Sequence, residues 1–304
     1  MNEPRHSLKN SKKIPLRKAL LLIVLSVLLI SGTSCLAWIY YSHSREKQRQ
    51  DPAYQIVAVV QTSPDSEGLK TGYLTELLEL SVDRPANLYA FNTREAEQKL
   101  LSIPIIKDVK IRKIRPGTIH VDYSLRKPIA YVGDYTNAAV DAAGVILPFN
   151  PFYTPKKLPI IYFGNDNDEG IPQWGDVLNG RRKELAFALL ALVYKYCDDY
   201  SLLSSIDVSQ AFAPSDGQRQ IVLVIEDRFI RVVDGQTILC VYPRILRLRE
   251  DNMSEQLGNY LILRTYLREQ DRGSPLAGKG TIQQAKAVII DLRLSELAFL
   301  SSKS

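Results

Sequence analysis

The side chains suited to chemistry are few and scattered. Of three histidines, only His120 falls in a stretch patterned to fold. It sits on the polar face of an alternating segment, with no Cys or second His nearby in sequence. A zinc site needs a cluster of such ligands, and a Ser-His-Asp hydrolase would have to be built on this one imidazole. His120 therefore reads as a solvated sheet residue. No G-x-S-x-G, H-E-x-x-H, P-loop or G-x-G-x-x-G pattern occurs.

Carboxylates and thiols add little. Asn165, Asp166, Asn167, Asp168 and Glu169 crowd one loop and loosely suggest calcium, but the regular ligand spacing and the terminal Glu are missing. Asp198-Asp199 closes a helical stretch. Cys197 falls in a helical pattern and Cys240 in a strand pattern. A Cys197–Cys240 bridge is possible in an oxidising compartment, and burial as two free thiols is the favoured reading. Cys35 reads as a membrane-packed thiol. The basic run Lys107, Lys110, Arg112, Lys113, Arg115 reads first as an exposed sheet face or edge whose charges deter pairing. Lys110, Arg112 and Lys113 remain a possible second docking stripe. No catalytic, cofactor or metal site is expected, so the chain reads as a binding or structural protein. The alternative is a membrane-anchored cell-wall hydrolase using paired carboxylates.

The elements that must position any site begin with a membrane span. Residues 19–41 hold no Asp, Glu, Lys or Arg, and about 20 apolar residues suffice to cross a bilayer. Trp38, Tyr40 and Tyr41 suit the water–lipid boundary. Residues 1–18 hold six Lys or Arg against one Glu, five of the chain's six net positive charges. That cluster places the tail (1–18) in the cytoplasm and the bulk outside it. It also makes the high pI a topology signal rather than a nucleic-acid footprint. A short juxtamembrane linker is expected over 42–52.

Beyond it, Tyr54 to Val60 reads as a strand and Leu69 to Leu80 as a helix. A second helix opens on Asn92, with Glu95 completing a capping box, and ends near Leu101 before Pro104. Val109 to Arg112 and Ile119 to Tyr123 are strands. The order β-α-α-β-β over 53–128 predicts a small α+β domain. From residue 129 to 304 short strands dominate. They are Ala130–Val132, Ala138–Val140, Val145–Leu147, Ile206–Val208, Ile221–Ile225, Phe229–Val233, Ile238–Val241 and Ile245–Leu248, with turns at Asp227-Arg228 and Asp234-Gly235. One helix spans Glu184 to Tyr196, with Leu185, Leu189, Leu192 and Tyr196 facing a core, and Leu257 to Leu267 marks another. Gly273 to Gly280 reads as a loop. Ala287 to Leu294 reads as the last strand. The whole is α+β: one membrane helix, a small mixed domain, then a β-rich domain of mostly antiparallel sheet with flanking helices.

Several short motifs resemble the bacterial division family FtsQ/DivIB. They are Asn87-Leu88-Tyr89, Leu101 to Lys107, Pro116-Gly117-Thr118-Ile119, Arg126-Lys127-Pro128-Ile129-Ala130, Val140-Asp141-Ala142-Ala143-Gly144, Leu158-Pro159 and Asp291-Leu292-Arg293. The resemblance implies a POTRA domain followed by a β-domain, in a scaffold of the division site that helps control septal wall synthesis. Its implied partners are small single-span coiled-coil proteins, FtsB/DivIC-like and FtsL-like, with other division proteins and the lipid bilayer. A last strand at a sheet edge offers unpaired N–H and C=O groups for β-augmentation. Asp291, Arg293, Leu294, Glu296 and Phe299 are the expected partner-binding residues, with Arg293 placed to fork onto a partner carboxylate.

Overall fold

The computed structural model describes residues 16–64, 68–81, 83, 85–164, 172–197, 201–233, 236–271, 282–294 and 296–302. Loop 165–169, Asp198-Asp199, Asp234-Gly235, loop 273–280 and the tail up to residue 15 lie outside them. Internal contacts gather the chain into two compact units, 1–61 with 71–96 and 111–121, and 62–70 with 97–110 and 122–304.

The chain opens with helix α1 (Leu16–Gln50), whose most apolar window has mean hydropathy 2.5 and no buried share. Its hydroxyls turn inward. Ser26 donates to the Ile23 carbonyl at 2.8 Å and Thr33 to that of Leu29 at 2.9 Å. No donor in that pair is left for lipid to solvate, as a hydrocarbon surrounding requires. The expected linker over 42–52 is different: its first nine residues continue the helix. They hold neither Gly nor Pro, and Glu46 bonds Gln50 and pairs with Arg49 along the same face. The helix stops where Asp51 accepts from the Ala53 N–H and caps a single 3-10 turn at Pro52–Tyr54.

Strand β1 (Ala58–Thr62), helices α2 (Thr71–Leu77) and α3 (Thr93–Leu101), and strands β2 (Ile106–Ile114) and β3 (Thr118–Leu125) follow. The sheet order is β1-β3-β2, which leaves β2 as an edge. α3 starts as its sequence predicts: the Asn92 side chain accepts from the Glu95 N–H at 3.4 Å. The Glu95 carboxylate answers to the Asn92 side-chain amide rather than to its backbone. β3 alternates as expected, burying Ile119, Val121, Tyr123 and Leu125. Gly117 is needed because a Cβ there would meet the Gln55 carbonyl oxygen at 2.0 Å, in a turn where the Gly117 carbonyl accepts from Val57 N–H.

The remaining strands form one ten-stranded mixed sheet. They are β4 (Pro128–Val132), β5 (Ala138–Asp141), β6 (Ile146–Pro148), β7 (Ile160–Tyr162), β8 (Ser201–Asp207), β9 (Ile221–Val233), β10 (Gln236–Leu248), β11 (Ile282–Gln284), β12 (Val288–Asp291) and β13 (Phe299–Ser302), with helices α4 (Arg181–Tyr196) and α5 (Met253–Asp271). The order is β13-β12-β10-β9-β8-β7-β4-β5-β6, with β11 beside β10. β7 lies parallel to both β4 and β8, and α5 carries the chain from β10 to its parallel neighbour β12. Leu185, Leu189 and Val193 of α4 and Leu257, Tyr260 and Leu267 of α5 fill the core with the strands' inward residues. Tyr196, expected in that core, is exposed: the buried stripe of α4 runs through Ala186, Leu190 and Val193 instead.

The four short strands expected over 221–248 are in fact one long hairpin, β9 paired with β10. Asp227-Arg228 makes no turn but continues β9, with Asp227 opposite Tyr242. Charge suggested solvent there, yet the acid is buried against arginines. Pro243 is tolerated inside β10 because β11 pairs only as far as Val241 and β12 begins at Arg244. A residue without an N–H costs no ladder bond in that gap.

Candidate functional site

The C-terminal end of the sheet differs from expectation in one respect. β12 is not the edge. It is paired on one side with β10 and on the other with β13, and β13 is the outermost strand. The apolar segment after Glu296 folds back instead of trailing. Glu296 has φ 63°, a left-handed conformation that reverses the chain, and Ile290 and Leu300 then stand opposite each other. The sequence signal was present in the apolar residues Leu297 and Phe299-Leu300.

This hairpin gathers all five expected partner-binding residues. Asp291 lies on β12 opposite Phe299 on β13, and Arg293, Leu294 and Glu296 lie in the connection. Leu294 (55% exposed), Leu297, Phe299 (56%) and Leu300 face outward. Such large apolar side chains beside an outer strand mark a surface that gains by being covered.

Arg293 is already engaged. Its Nε donates to Asp291 Oδ1 at 3.0 Å and its Nη2 to Oδ2 at 2.7 Å, a forked pair, while Nη1 donates to the Gly217 carbonyl at 3.2 Å. Burial pushes the Asp291 carboxyl up, but the Arg293 hydrogen bonds outweigh it and hold it below the usual range. The same bonds raise the Arg293 guanidinium. The fork expected for a partner's carboxylate is thus made within the chain, and it stiffens the exit of β12.

Two of the sequence motifs meet. Arg126 Nη1 donates to Asp141 Oδ2 at 3.0 Å, and Asp141 Oδ1 accepts from the N–H groups of Ala143 and Val145 at 2.9 and 2.8 Å. Gly144, at φ 88°, closes that turn where only glycine is at ease. The Val-Asp-x-x-Gly pattern is therefore a turn tied down by its own aspartate.

Sequence reasoning missed a buried ionic network. Arg244 is 1% exposed and Asp227 wholly buried. Arg244 Nε lies 3.6 Å from Asp227 Oδ2, and its Nη2 pairs with Asp271. Arg268 Nη2 and Tyr260 OH each reach Asp227 at 3.3 Å. Tyr242 OH donates to the Asp271 carbonyl at 3.0 Å and stacks on Phe229 at 4.6 Å. Burial raises the Tyr260 hydroxyl far above its usual range, and burial also raises Asp271 against the pull of Arg244. The available signal was the helical spacing of Tyr260, Arg264, Arg268 and Asp271 down one face of α5.

Elsewhere, Lys110, Arg112 and Lys113 are all exposed on the edge strand β2. His120 is half-buried on β3. Cys35, Cys197 and Cys240 are free thiols, the last of them buried. Among the described residues no three His, Cys, Asp or Glu side chains converge as metal ligands.

Comparison with known proteins adds two findings. Residues 73–122 match the model of the POTRA domain, FtsQ-type. A cell division protein FtsQ from Koribacter versatilis (strain Ellin345) is 26% identical over 162 residues, covering 52% of this chain and 44% of that protein. The match thus spans less than half the relative's length. Both findings support the FtsQ/DivIB family of division proteins.

Proposed function

We propose, from the FtsQ-type POTRA domain and the FtsQ relative, that this cell division protein is a non-enzymatic scaffold that captures partners by strand addition along β13. The N-terminus lies in the cytoplasm, α1 crosses the inner membrane once, and a POTRA domain (53–128) and β-domain (129–304) stand on the periplasmic side at the division site. The partners are FtsB/DivIC-like and FtsL-like single-span proteins, which the scaffold links to septal peptidoglycan synthesis.

The observation that carries the reading is the outer strand β13 with Leu294, Leu297, Phe299 and Leu300 exposed around it. A partner strand there gains main-chain hydrogen bonds along the open edge, and its alternate side chains gain apolar contacts. Charge around the span supports the orientation.

The test is partner affinity of the full-length chain, beside its thermal unfolding. Replacing Phe299 and Leu300 together by Ser should leave folding nearly intact and weaken binding by about thirtyfold or more, the usual cost of an interface anchor. Wild-type affinity in a folded variant rules out the β13 edge. Peptidoglycan turnover by the purified protein would instead favour a hydrolase. A reporter active only outside the cytoplasm, fused after Ser304, should be active; an inactive but stable fusion reverses the orientation.

A further inference from the structure

The far end of α1 and the turn after β2 enclose a cationic pocket. Arg45 and Arg49 from α1, Lys113 from β2 and Arg115 from the turn line it with Leu88 and Tyr89, around a cavity of about 320 Å³. No acid is among these lining residues. Among the described residues Glu46 lies 3.7 Å from Arg49, and both of those side chains are more than half exposed.

The cluster is held together against its own repulsion. The Asn87 side-chain amide donates to the carbonyls of Gln48 at 3.0 Å and Asp51 at 3.1 Å, while its oxygen accepts from the Tyr89 N–H at 2.8 Å. These bonds clamp the last turn of α1 beside Tyr89. Although the residue as a whole is exposed, partial loss of solvent first, then the charges of Arg45 and Arg49, push the Lys113 ammonium below the usual lysine range. Arg115 sits over the Tyr89 ring at 5.8 Å. The Tyr89 hydroxyl is buried and meets no hydrogen-bond partner among the described residues. A buried donor without an acceptor is costly, as are like charges brought together. An anion in the pocket relieves the second of these costs.

The location identifies the anion. Trp38, Tyr40 and Tyr41 end the apolar stretch of α1 at the lipid boundary. At 1.5 Å per residue, Arg45 lies about 6 Å and Arg49 about 12 Å beyond Tyr41 along the helix. The polar headgroup layer is roughly 5–8 Å deep on each side of the hydrocarbon. Arg45 therefore lies within the headgroup layer and Arg49 just beyond it, so the pocket borders that layer.

We propose that this pocket binds the phosphate of an anionic lipid headgroup in the leaflet next to the folded part of the chain. Arg45, Arg49 and Arg115 supply the guanidinium forks that suit phosphate oxygens, Lys113 a point charge, and Leu88 and Tyr89 part of the wall. The site makes α1 both a span and half of a lipid receptor. It is independent of β13 and of which way the chain is oriented.

The test uses the full chain in neutral detergent, titrated separately with phosphatidylglycerol, phosphatidylcholine and inorganic phosphate, with bound species counted by native mass spectrometry. Phosphatidylglycerol should be retained well above phosphatidylcholine, and inorganic phosphate should bind far more weakly. The double variant Lys113→Gln/Arg115→Gln should lose about thirtyfold in phosphatidylglycerol affinity. Arg115→Gln alone should lose several-fold, and Lys70→Gln/Arg94→Gln should match the wild type. Equal retention of the two lipids overturns the proposal, as does a folded double variant that binds like the wild type. Inorganic phosphate binding as tightly as the lipid also overturns it, because the site would then serve a free anion. Should the double variant unfold, the wild-type lipid comparison and Arg115→Gln decide the matter.

Discussion

Two arginine–carboxylate sites lie on the same sheet and differ in nearly every physical respect. At the β9–β10–α5 junction, Arg244 is sealed from water between Asp227 and Asp271. At the rim, Arg293 forks onto Asp291 two residues away, with both side chains about a fifth exposed. The buried site joins three consecutive elements through residues 27 and 41 positions apart; the rim site joins residues two positions apart. By general energetics, burial more than ion-pair geometry should decide what each contact is worth. The buried pair is dangerous to break, while the rim pair is inexpensive and leaves its surroundings free to serve a partner.

The comparison predicts its own ranking. Arg244→Met should cost the most, about 3–5 kcal/mol in urea denaturation, since it removes the buried guanidinium that pairs with Asp271 and lies beside Asp227. Replacing Asp227 and Asp271 by Asn in the same protein should return part of that loss; a further loss instead would mean the network is not held together by its charges. Asp141→Ala should cost about 2 kcal/mol, because two backbone N–H groups and Arg126 lose their acceptor. Arg293→Ala should cost less than about 1 kcal/mol, as rim pairs do; a cost near that of Arg244→Met would erase the distinction drawn here.

Acid titration should separate the two sites by sign. Asp291 is depressed in the folded state, so its stabilisation is present above the ordinary carboxylate range and lost as pH falls through its lowered value. Asp271 is raised, so its contribution falls as pH climbs from the ordinary carboxylate range through the raised value. In denaturation midpoints followed across that range, Asp291→Asn should flatten the acid limb and Asp271→Asn should remove the opposing slope. Two variants with slopes of the same sign would contradict this assignment.

What the sequence disclosed follows the same divide. Local patterns were legible: the apolar span, the Asn92–Glu95 cap, the alternation of β3, and the Asp141–Gly144 turn, each written within a few residues. Nonlocal arrangements were not. Asp227 and Arg228 resemble a turn until α5 brings Arg264 and Arg268 against them. Leu297 to Leu300 resembles an uncovered tail until Glu296 reverses the chain and β13 docks on β12. Motif and apolarity singled out residues that the fold gathers in one hairpin, but the edge was assigned one strand too far in, because pairing on both sides of β12 depends on contacts that no short window contains.

The unbroken run of α1 to Gln50 has a mechanical meaning. Residues 42–50 add about 13 Å of rigid rod past the lipid boundary, at 1.5 Å per residue, and Asn87 bolts its end to the fold. A flexible tether would let the first compact unit tumble at the membrane surface. A welded rod instead fixes its height, and any rotation or tilt of the helix within the bilayer turns that unit by the same angle. The span acts as an axle as well as an anchor.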